Sequence, residues 1–375
     1  MVLGEQTAQA GENACFRQSV TDATTSYPFG VRCYSMKTQG VLALLWVLSS
    51  VHVAAAEAVP KRVTLSTDAG EITFLAASAN NRYLAAASLD SYVFIWETSS
   101  WKRVARIPPE PPPRTVKGEH QDEFSAIHGL AFSPDNHTVA FASAGVLYSY
   151  DIRSGIKHVR GQTNAEALAF TPEGEKLVAS TPRGAVEIWA TRTWRKRAAA
   201  IPVQDPGLTS GAVSVSSDAA FAAVSGHGGV GILSLRTLHT EMLPLLTTTR
   251  QQVRGGNQVS ISSDSRLVAS GVSSFDNHRI VVWDVRSKVV AFSTQAEAAV
   301  WAVAFSPDSS RLFAGQAKGK ILAWDTSTWK QICSLDSRGA YQFAVSSQWL
   351  AAGGGERTVT IIPLQECVST SSVAR

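Results

Sequence analysis

Short runs of alternating apolar and polar residues recur along most of the chain, separated by polar turns rich in Ser, Asp, Asn and Gly. Val, Ala, Ser and Phe dominate these runs, and apolar spacing of the helical kind is scarce. Because successive side chains of a strand point to opposite faces, this pattern predicts β-strands joined by tight turns. We therefore predict an all-β fold.

One strand-and-turn motif occurs seven times. It is clearest as AFSPDN at 131–136, AFTPEG at 169–174 and AFSPDS at 304–309, and looser copies begin at Ala76, Ser214, Ser260 and Ala344. Each copy is typical of a strand that ends in a type I turn, with Ser or Thr opening the turn and, in most copies, an acidic residue third. A strand of small residues follows each turn. The count predicts seven structural units.

Paired tryptophans mark three of these units. WETSSW, WATRTW and WDTSTW begin at Trp96, Trp189 and Trp324, at intervals of 93 and 135 residues. Both intervals are whole multiples of roughly 45, a typical length for one propeller blade. We predict that the first Trp ends a third strand and fills space between blades, and that the second starts the outer strand. An aromatic ligand site is the alternative.

The innermost strand of each unit should carry small residues. Two positions before the turn, all seven copies have Ala or Ser: Ala76, Ala131, Ala169, Ser214, Ser260, Ala304 and Ala344. Larger apolar residues such as Val303 and Phe305 flank this position. Strands crowd together near the axis of a ring, so small side chains are expected there, with larger ones on the buried face.

In sequence the units resemble WD repeats. The WD dipeptide stands at Trp283-Asp284 and Trp324-Asp325, with Tyr150-Asp151 and Trp96-Glu97 as near matches, and the likeness extends over nearly all of 62–366. The resemblance implies a seven-bladed β-propeller of four-stranded antiparallel blades around a central channel. We expect the segment 62–66 to pair into the last blade and close the ring, which removes two exposed sheet edges.

The repeats are degenerate. The buried Asp that the family places six residues before the Trp is present only as Asp90, and Arg183, Asn277 and Lys318 replace it elsewhere. The resemblance therefore implies that the hydrogen-bonded tetrad that braces WD blades is missing here.

The N-terminal region indicates export. Residues 36–58 begin with Met-Lys, continue through a short apolar run and end in small residues, as a signal peptide does. We interpret 1–35 as an extension before the true start, 36–58 as the signal peptide and 59–375 as the propeller. The expected location is periplasmic or secreted. An uncleaved signal that anchors the chain in a membrane is the alternative, and a cytosolic scaffold is a third reading.

Charge and motifs exclude several function classes. The formal charge of +4 is modest, and the most basic stretch, RTWRKR at 192–197, is interpreted as a solvated hairpin, so we expect no nucleic-acid partner. No nucleophile elbow, zinc-protease motif, phosphate loop or Cys-x-x-Cys pair occurs. We therefore expect neither catalysis nor a cofactor or metal.

Two cysteines remain after the leader, Cys333 and Cys367. In an oxidising compartment they could pair. They fall on the outer segments of successive repeats, and the sequence favours two free buried thiols over a disulfide.

Candidate recognition residues lie five positions before each turn, at one mouth of the channel. This position is varied, polar or aromatic, and is occupied by Thr73, His128, Glu166, Gly211, Asn257, Trp301 and Tyr341. Trp301 and Tyr341 come from adjacent units and should form an exposed aromatic patch. Solvated positions that are free to vary are the alternative.

By analogy with the family, the long insertions 108–125, 247–257 and 273–278 open on the same face. Their candidate contacts are Arg114, Lys117, Arg250 and Arg254. Recognition usually resides in such loops on a rigid scaffold. We hypothesise a non-catalytic propeller that binds a protein or peptide, as a monomer within a complex and without membrane contact once the signal is cleaved. The alternative is a small-molecule-binding or hydrolytic propeller with a site at the mouth.

Overall fold

Seven antiparallel sheets of four strands each make up the part of the chain that the computed structural model describes. That part comprises residues 61–109, 126–182, 185–200, 210–226, 229–244, 254–274, 277–337 and 339–369. All of it belongs to one structural unit, 57–375. The leader segments 1–35 and 36–58 lie outside the described residues. No helix in the described ranges is long and apolar enough to cross a bilayer.

The first strand along the chain, β1 (Val63–Ser66), belongs to the last blade, and the others follow in blade order. Blade 1 contains β2 (Ile72–Ala77), β3 (Tyr83–Ser88), β4 (Val93–Glu97) and β5 (Lys102–Ile107). Blade 2 contains β6 (Ile127–Phe132), β7 (Thr138–Ser143), β8 (Val146–Asp151) and β9 (Ile156–Gln162). Blade 3 contains β10 (Ala167–Phe170), β11 (Lys176–Ser180), β12 (Ala185–Ala190) and β13 (Arg195–Ala200).

The remaining blades repeat this order. Blade 4 contains β14 (Ser210–Val215), β15 (Phe221–Gly226), β16 (Gly229–Ser234) and β17 (Thr240–Met242). Blade 5 contains β18 (Arg254–Ile261), β19 (Leu267–Ser274), β20 (Asn277–Asp284) and β21 (Val289–Ala296). Blade 6 contains β22 (Val300–Phe305), β23 (Arg311–Gln316), β24 (Lys320–Asp325) and β25 (Gln331–Asp336). Blade 7 contains β26 (Gln342–Val345), β27 (Trp349–Gly353) and β28 (Thr358–Pro363), and a short helix α1 (Glu366–Ser369) follows it.

The ring closes as predicted, because β1 is the outer strand of blade 7 and Val63 pairs with Ile361 of β28. Two polar contacts hold the chain just before this strand. Arg62 forms an ion pair with Glu366 of α1 at 2.9 Å and donates to the carbonyl oxygen of Asp336 in blade 6 at 2.8 Å. Arg62 thus connects the start of the propeller to blade 6 and to the helix that follows blade 7.

The repeated turn has the predicted geometry in six blades. In each, the N–H of the fourth residue donates to the carbonyl of the opening Ser or Thr, as Ser309 does to Ser306 at 2.7 Å. The fourth residue lies in the left-handed region, with φ of 56° at Ser309. The third residue, Asp308, accepts from the Ser306 hydroxyl at 2.5 Å, and this bond holds the pKa of that carboxyl below its usual value. Short polar side chains suit this turn for that reason.

The first Trp of each pair is buried at the end of a third strand, as predicted, at Trp96, Trp189 and Trp324. The prediction for the second Trp was wrong. It lies in the turn before the outer strand with φ of 52–55°, at Trp101, Trp194 and Trp329. There it packs on the preceding blade: Trp329 stacks on Phe292 at 4.5 Å, and the guanidinium of Arg160 lies 4.6 Å from the Trp194 ring.

The expectation of two free thiols was also wrong, because Cys333 and Cys367 form a disulfide. Cys333 lies on β25, but Cys367 lies in α1, which follows β28 instead of forming part of an outer strand. The helix therefore turns back toward blade 6, and the bond joins blade 6 to the segment that Arg62 also contacts. Both cysteines belong to the same buried apolar cluster.

The family's buried Asp is not reproduced at Asp90, whose exposed carboxylate accepts only a local bond from the Ser88 hydroxyl at 2.6 Å. Blade 3 is braced differently. Glu187 of β12 accepts from the Thr163 hydroxyl at 2.6 Å, the Trp189 indole N–H at 3.1 Å and the Lys196 ammonium at 2.8 Å. These bonds connect the inner part of the blade to its outer strand.

Candidate binding site at the channel mouth

The inner strands of all seven blades begin with a local irregularity, and each predicted mouth residue lies in it. In five blades the pairing register shifts, between Ile72/Phe74, Ile127/Gly129, Ser210/Ala212, Gly255/Val259 and Val300/Ala302. These shifts bracket Thr73, His128, Gly211, Asn257 and Trp301. A β-bulge leaves a residue out of the ladder and redirects its side chain. The side chains at the mouth positions therefore do not follow the alternation between the two faces of the sheet that the rest of the strand keeps.

In blades 3 and 7 the same irregularity lies just before the inner strand. Glu166 N–H donates to the Ser180 carbonyl at 2.7 Å, although Ser180 is already paired with Ala167. Tyr341 N–H likewise donates to the Gly353 carbonyl at 3.1 Å, beside the pairing of Gly353 with Gln342. In these blades as well, two successive residues of the inner segment thus face one residue of the second strand.

The redirected side chains surround one cavity of about 590 Å³. Six of the seven predicted positions line it: Thr73, His128, Glu166, Gly211, Trp301 and Tyr341. The remaining lining residues are Glu71, Ile72, Phe74, Gln342, Gly354 and Gly355. The seventh predicted residue, Asn257, lies in β18, and its side chain is outside the described residues. The structure therefore assembles residues from separate blades into one site.

Trp301 and Tyr341 form the predicted aromatic patch. Their rings meet edge to face with centroids 5.6 Å apart, and Trp301 is 36% exposed. Tyr341 lies against a glycine turn, where a Cβ on Gly354 would stand 2.5 Å from the Tyr341 Cβ. Gly354 also has φ of +113°, which side-chain-bearing residues rarely adopt. Glycine is required here because it lets the Tyr341 ring pack on the backbone.

His128 lies on β6 of blade 2, and Glu166 lies just before β10 of the adjacent blade 3. The residue after His128 is Gly129, where a Cβ would stand 2.9 Å from Leu168 Cγ and 3.2 Å from the backbone of Ala167. The missing side chain lets β6 and β10 approach closely at the mouth. Two neighbouring blades thus contribute a half-buried imidazole and a half-buried carboxylate to the lining of the cavity.

The floor of the mouth contains two glutamines that the sequence prediction missed. Gln258 Nε2 of blade 5 donates to Gln342 Oε1 of blade 7 at 2.8 Å, so their side chains meet past blade 6. Both occupy the position directly after the mouth residue, where the other five repeats have Phe, Gly or Ala. A Gln at that position in two repeats was the available signal. The hydrogen bond between the two side chains joins blade 5 to blade 7 next to the cavity that Gln342 lines.

The structure describes little of the candidate loop residues. Arg114, Lys117 and Arg250 lie outside the described residues, and Arg254 begins β18 with its side chain undescribed. β5 ends at Ile107 and β6 begins at Ile127, both at the mouth side, and residues 110–125 between them lie outside the described residues. Across the described ranges, no group of three or more His, Cys, Asp or Glu side chains is placed to hold a metal ion.

Comparison with known proteins identifies the repeats. Residues 61–97 and 287–325 match the family model described as WD40: WD domain, G-beta repeat. No curated protein sequence matches the chain. Among solved structures, the β-propeller domain of Cps50 (Swd1) from Myceliophteria thermophila aligns with a TM-score of 0.61 over 80% of this chain and 99% of that one, at 14% identity. The likeness to that domain is one of fold.

Proposed function

Because the chain belongs to the WD-repeat β-propeller family, whose members are generally non-catalytic protein-interaction scaffolds, we propose that it binds a protein or peptide at its channel mouth. The observation that carries this proposal is the cavity with Trp301 and Tyr341 at its edge. Exposed Trp and Tyr are the residues most often found as binding anchors in interfaces. The two rings support each other, so little side-chain freedom is lost when a partner covers them.

The cavity is suited to a side chain of the partner. Its volume of about 590 Å³ lies in the range of binding sites for small groups. Its lining includes the carboxylates Glu71 and Glu166 beside the aromatic pair, and the lining residues that the structure describes include no Lys or Arg. A cation is attracted both to a carboxylate and to an aromatic face. We therefore propose that the partner inserts a basic or basic-aromatic segment.

We further propose that the protein acts outside the cytoplasm, after cleavage of the signal at 36–58. The Cys333–Cys367 disulfide supports this, because disulfides persist in oxidising compartments. N-terminal sequencing of the protein recovered from its native host should give a chain that starts near Val59. A chain that starts at residue 1 or at Met36 would overturn this part of the proposal.

Affinity capture with the mature protein tests the mouth. Partners captured by the wild type should be lost, or reduced about tenfold or more, with Trp301→Ala/Tyr341→Ala, since removing interface anchors typically costs more than 1.4 kcal/mol. The matched control is Met242→Ala/Val289→Ala, which removes two exposed apolar side chains from outer strands β17 and β21. Capture of the same partners by both variants would contradict the proposal.

A further inference from the structure

The outer strands of blades 1, 2 and 3 are uniformly basic. Their sequences are KRVARI for β5, IKHVRGQ for β9 and RKRAAA for β13, with eight Lys or Arg and no Asp or Glu. The described outer strands of the other four blades, β17, β21, β25 and β1, contain no Lys or Arg and two carboxylates. Blades 1 to 3 are consecutive, so we call β5, β9 and β13 together the basic arc.

Two carboxylates among the described residues form ion pairs with cations of the basic arc. Asp68 pairs with Arg103 at 2.8 Å and with Arg106 at 3.1 Å, and Glu187 pairs with Lys196 at 2.8 Å. These two carboxylates engage three of the eight cations in ion pairs. At the two ends of the arc, Lys102 and the β13 residues Arg195 and Arg197 are exposed to solvent. The arc is a concentrated positive surface on a chain whose formal charge is only +4.

Apolar side chains are exposed between these cations. Val159 is 70% exposed, Ile156 51% and Val104 47%, and all three lie on β5 or β9. Three aromatic rings next to the arc, by contrast, are already covered by its cations. Arg106 lies 4.0 Å from the Tyr92 centroid, Arg160 lies 4.6 Å from that of Trp194, and Lys196 covers Trp189. The surface thus offers positive charge and aliphatic patches but few open aromatic faces.

We propose that the basic arc binds an acidic polypeptide segment in which Asp or Glu residues are interleaved with apolar ones. Charge complementarity and the exposed aliphatic side chains match such a segment. The seven blades turn by about 51° each (360°/7), so three of them form a convex surface. A flexible peptide follows this curve, whereas a flat membrane or a straight duplex meets mainly the middle blade. Single-stranded nucleic acid binds by stacking on open aromatic rings, and here cations cover them.

The test measures fluorescence anisotropy of a labelled Glu-Glu-Leu repeat peptide with the mature protein. The test variant is Lys102→Glu/Arg195→Glu/Arg197→Glu. The control is Arg236→Glu/Arg286→Glu/Lys330→Glu, which makes the same charge change at exposed sites in blades 4 to 6. We expect wild type and control to bind equally, the test variant to bind about tenfold or more weakly, and raised salt to weaken wild-type binding.

Four results overturn the proposal: equal loss in both variants, no peptide binding by the wild type, tighter binding to phosphatidylserine vesicles, or tighter binding to oligo-dT. The last two assign the arc to a membrane or to nucleic acid instead. Circular dichroism and the urea midpoint of each variant show whether it is folded, and the salt dependence of the wild type tests the same claim without substitution. Trp301→Ala/Tyr341→Ala should leave peptide binding unchanged, because the arc and the mouth are separate surfaces.

Discussion

Reduction of the Cys333–Cys367 disulfide should measurably destabilise the propeller. The bond joins residues 34 apart in sequence, and closing a loop of that length removes about 3.8 kcal/mol of chain entropy from the unfolded state. Because α1 also bears Glu366, the partner of Arg62, release of the helix weakens the ring closure as well. Measured effects of native disulfides are about 2–5 kcal/mol, so we expect a loss of about 3 kcal/mol.

The assay is urea unfolding followed by tryptophan fluorescence, with and without dithiothreitol. A loss of about 3 kcal/mol at a urea dependence of about 3 kcal/mol per molar shifts the midpoint down by about 1 M. The control variant Cys333→Ser/Cys367→Ser should show one midpoint in both buffers. Coincident midpoints for the oxidised and reduced wild type would refute the reasoning, since the disulfide would then add nothing to the stability of the fold.

Three further predictions concern the packing and the hydrogen bonds. Gly315→Ala would place a Cβ on the carbonyl oxygen of Ala340, so blades 6 and 7 must separate, and we expect a loss of about 3 kcal/mol in urea unfolding. The pKa of Asp284 is lowered to about 2 from 3.8, first by the hydrogen bond from the Ser287 backbone N–H and then by the one from the Arg266 side chain. The stability this adds, about 2 kcal/mol, should be present above pH 4 and lost as the pH falls toward about 2. Glu187→Ala removes the carboxylate that accepts from the Trp189 indole N–H. The unpaired N–H should lower the free energy of unfolding by about 2 kcal/mol in the same assay.

Matched variants separate these effects from general damage. Gly145→Ala meets nothing closer than 3.9 Å, and its left-handed backbone should cost only about 1 kcal/mol. Asp284→Asn should flatten the dependence of stability on pH between about 2 and 4. Glu187→Gln keeps an acceptor oxygen and should cost less than Glu187→Ala. Equal losses for the members of each pair would contradict the contacts assigned to them.

The architecture was predictable because it is repeated. Seven copies of one turn and their small flanking residues determined the number of blades, and the alternation of Val63 and Leu65 identified the closing strand. The mouth positions were identifiable for the same reason: they break a pattern that their neighbours keep. The bulge behind that break was not predictable, since it depends on where the partner strand ends its pairing. Neither was the turn position of Trp101, which is fixed by contact with Trp349 of another blade.

The sequence by itself therefore determined whatever depends on local periodicity: the strands, their turns, the count of blades and the ring. Tertiary structure alone decided which distant residues meet. It brought Cys333 to Cys367, placed Gln258 against Gln342 past an intervening blade, and gathered the cations of three outer strands on one arc. The physical reason is that closing a ring brings residues from separate repeats into contact, and no spacing along the chain records those distances.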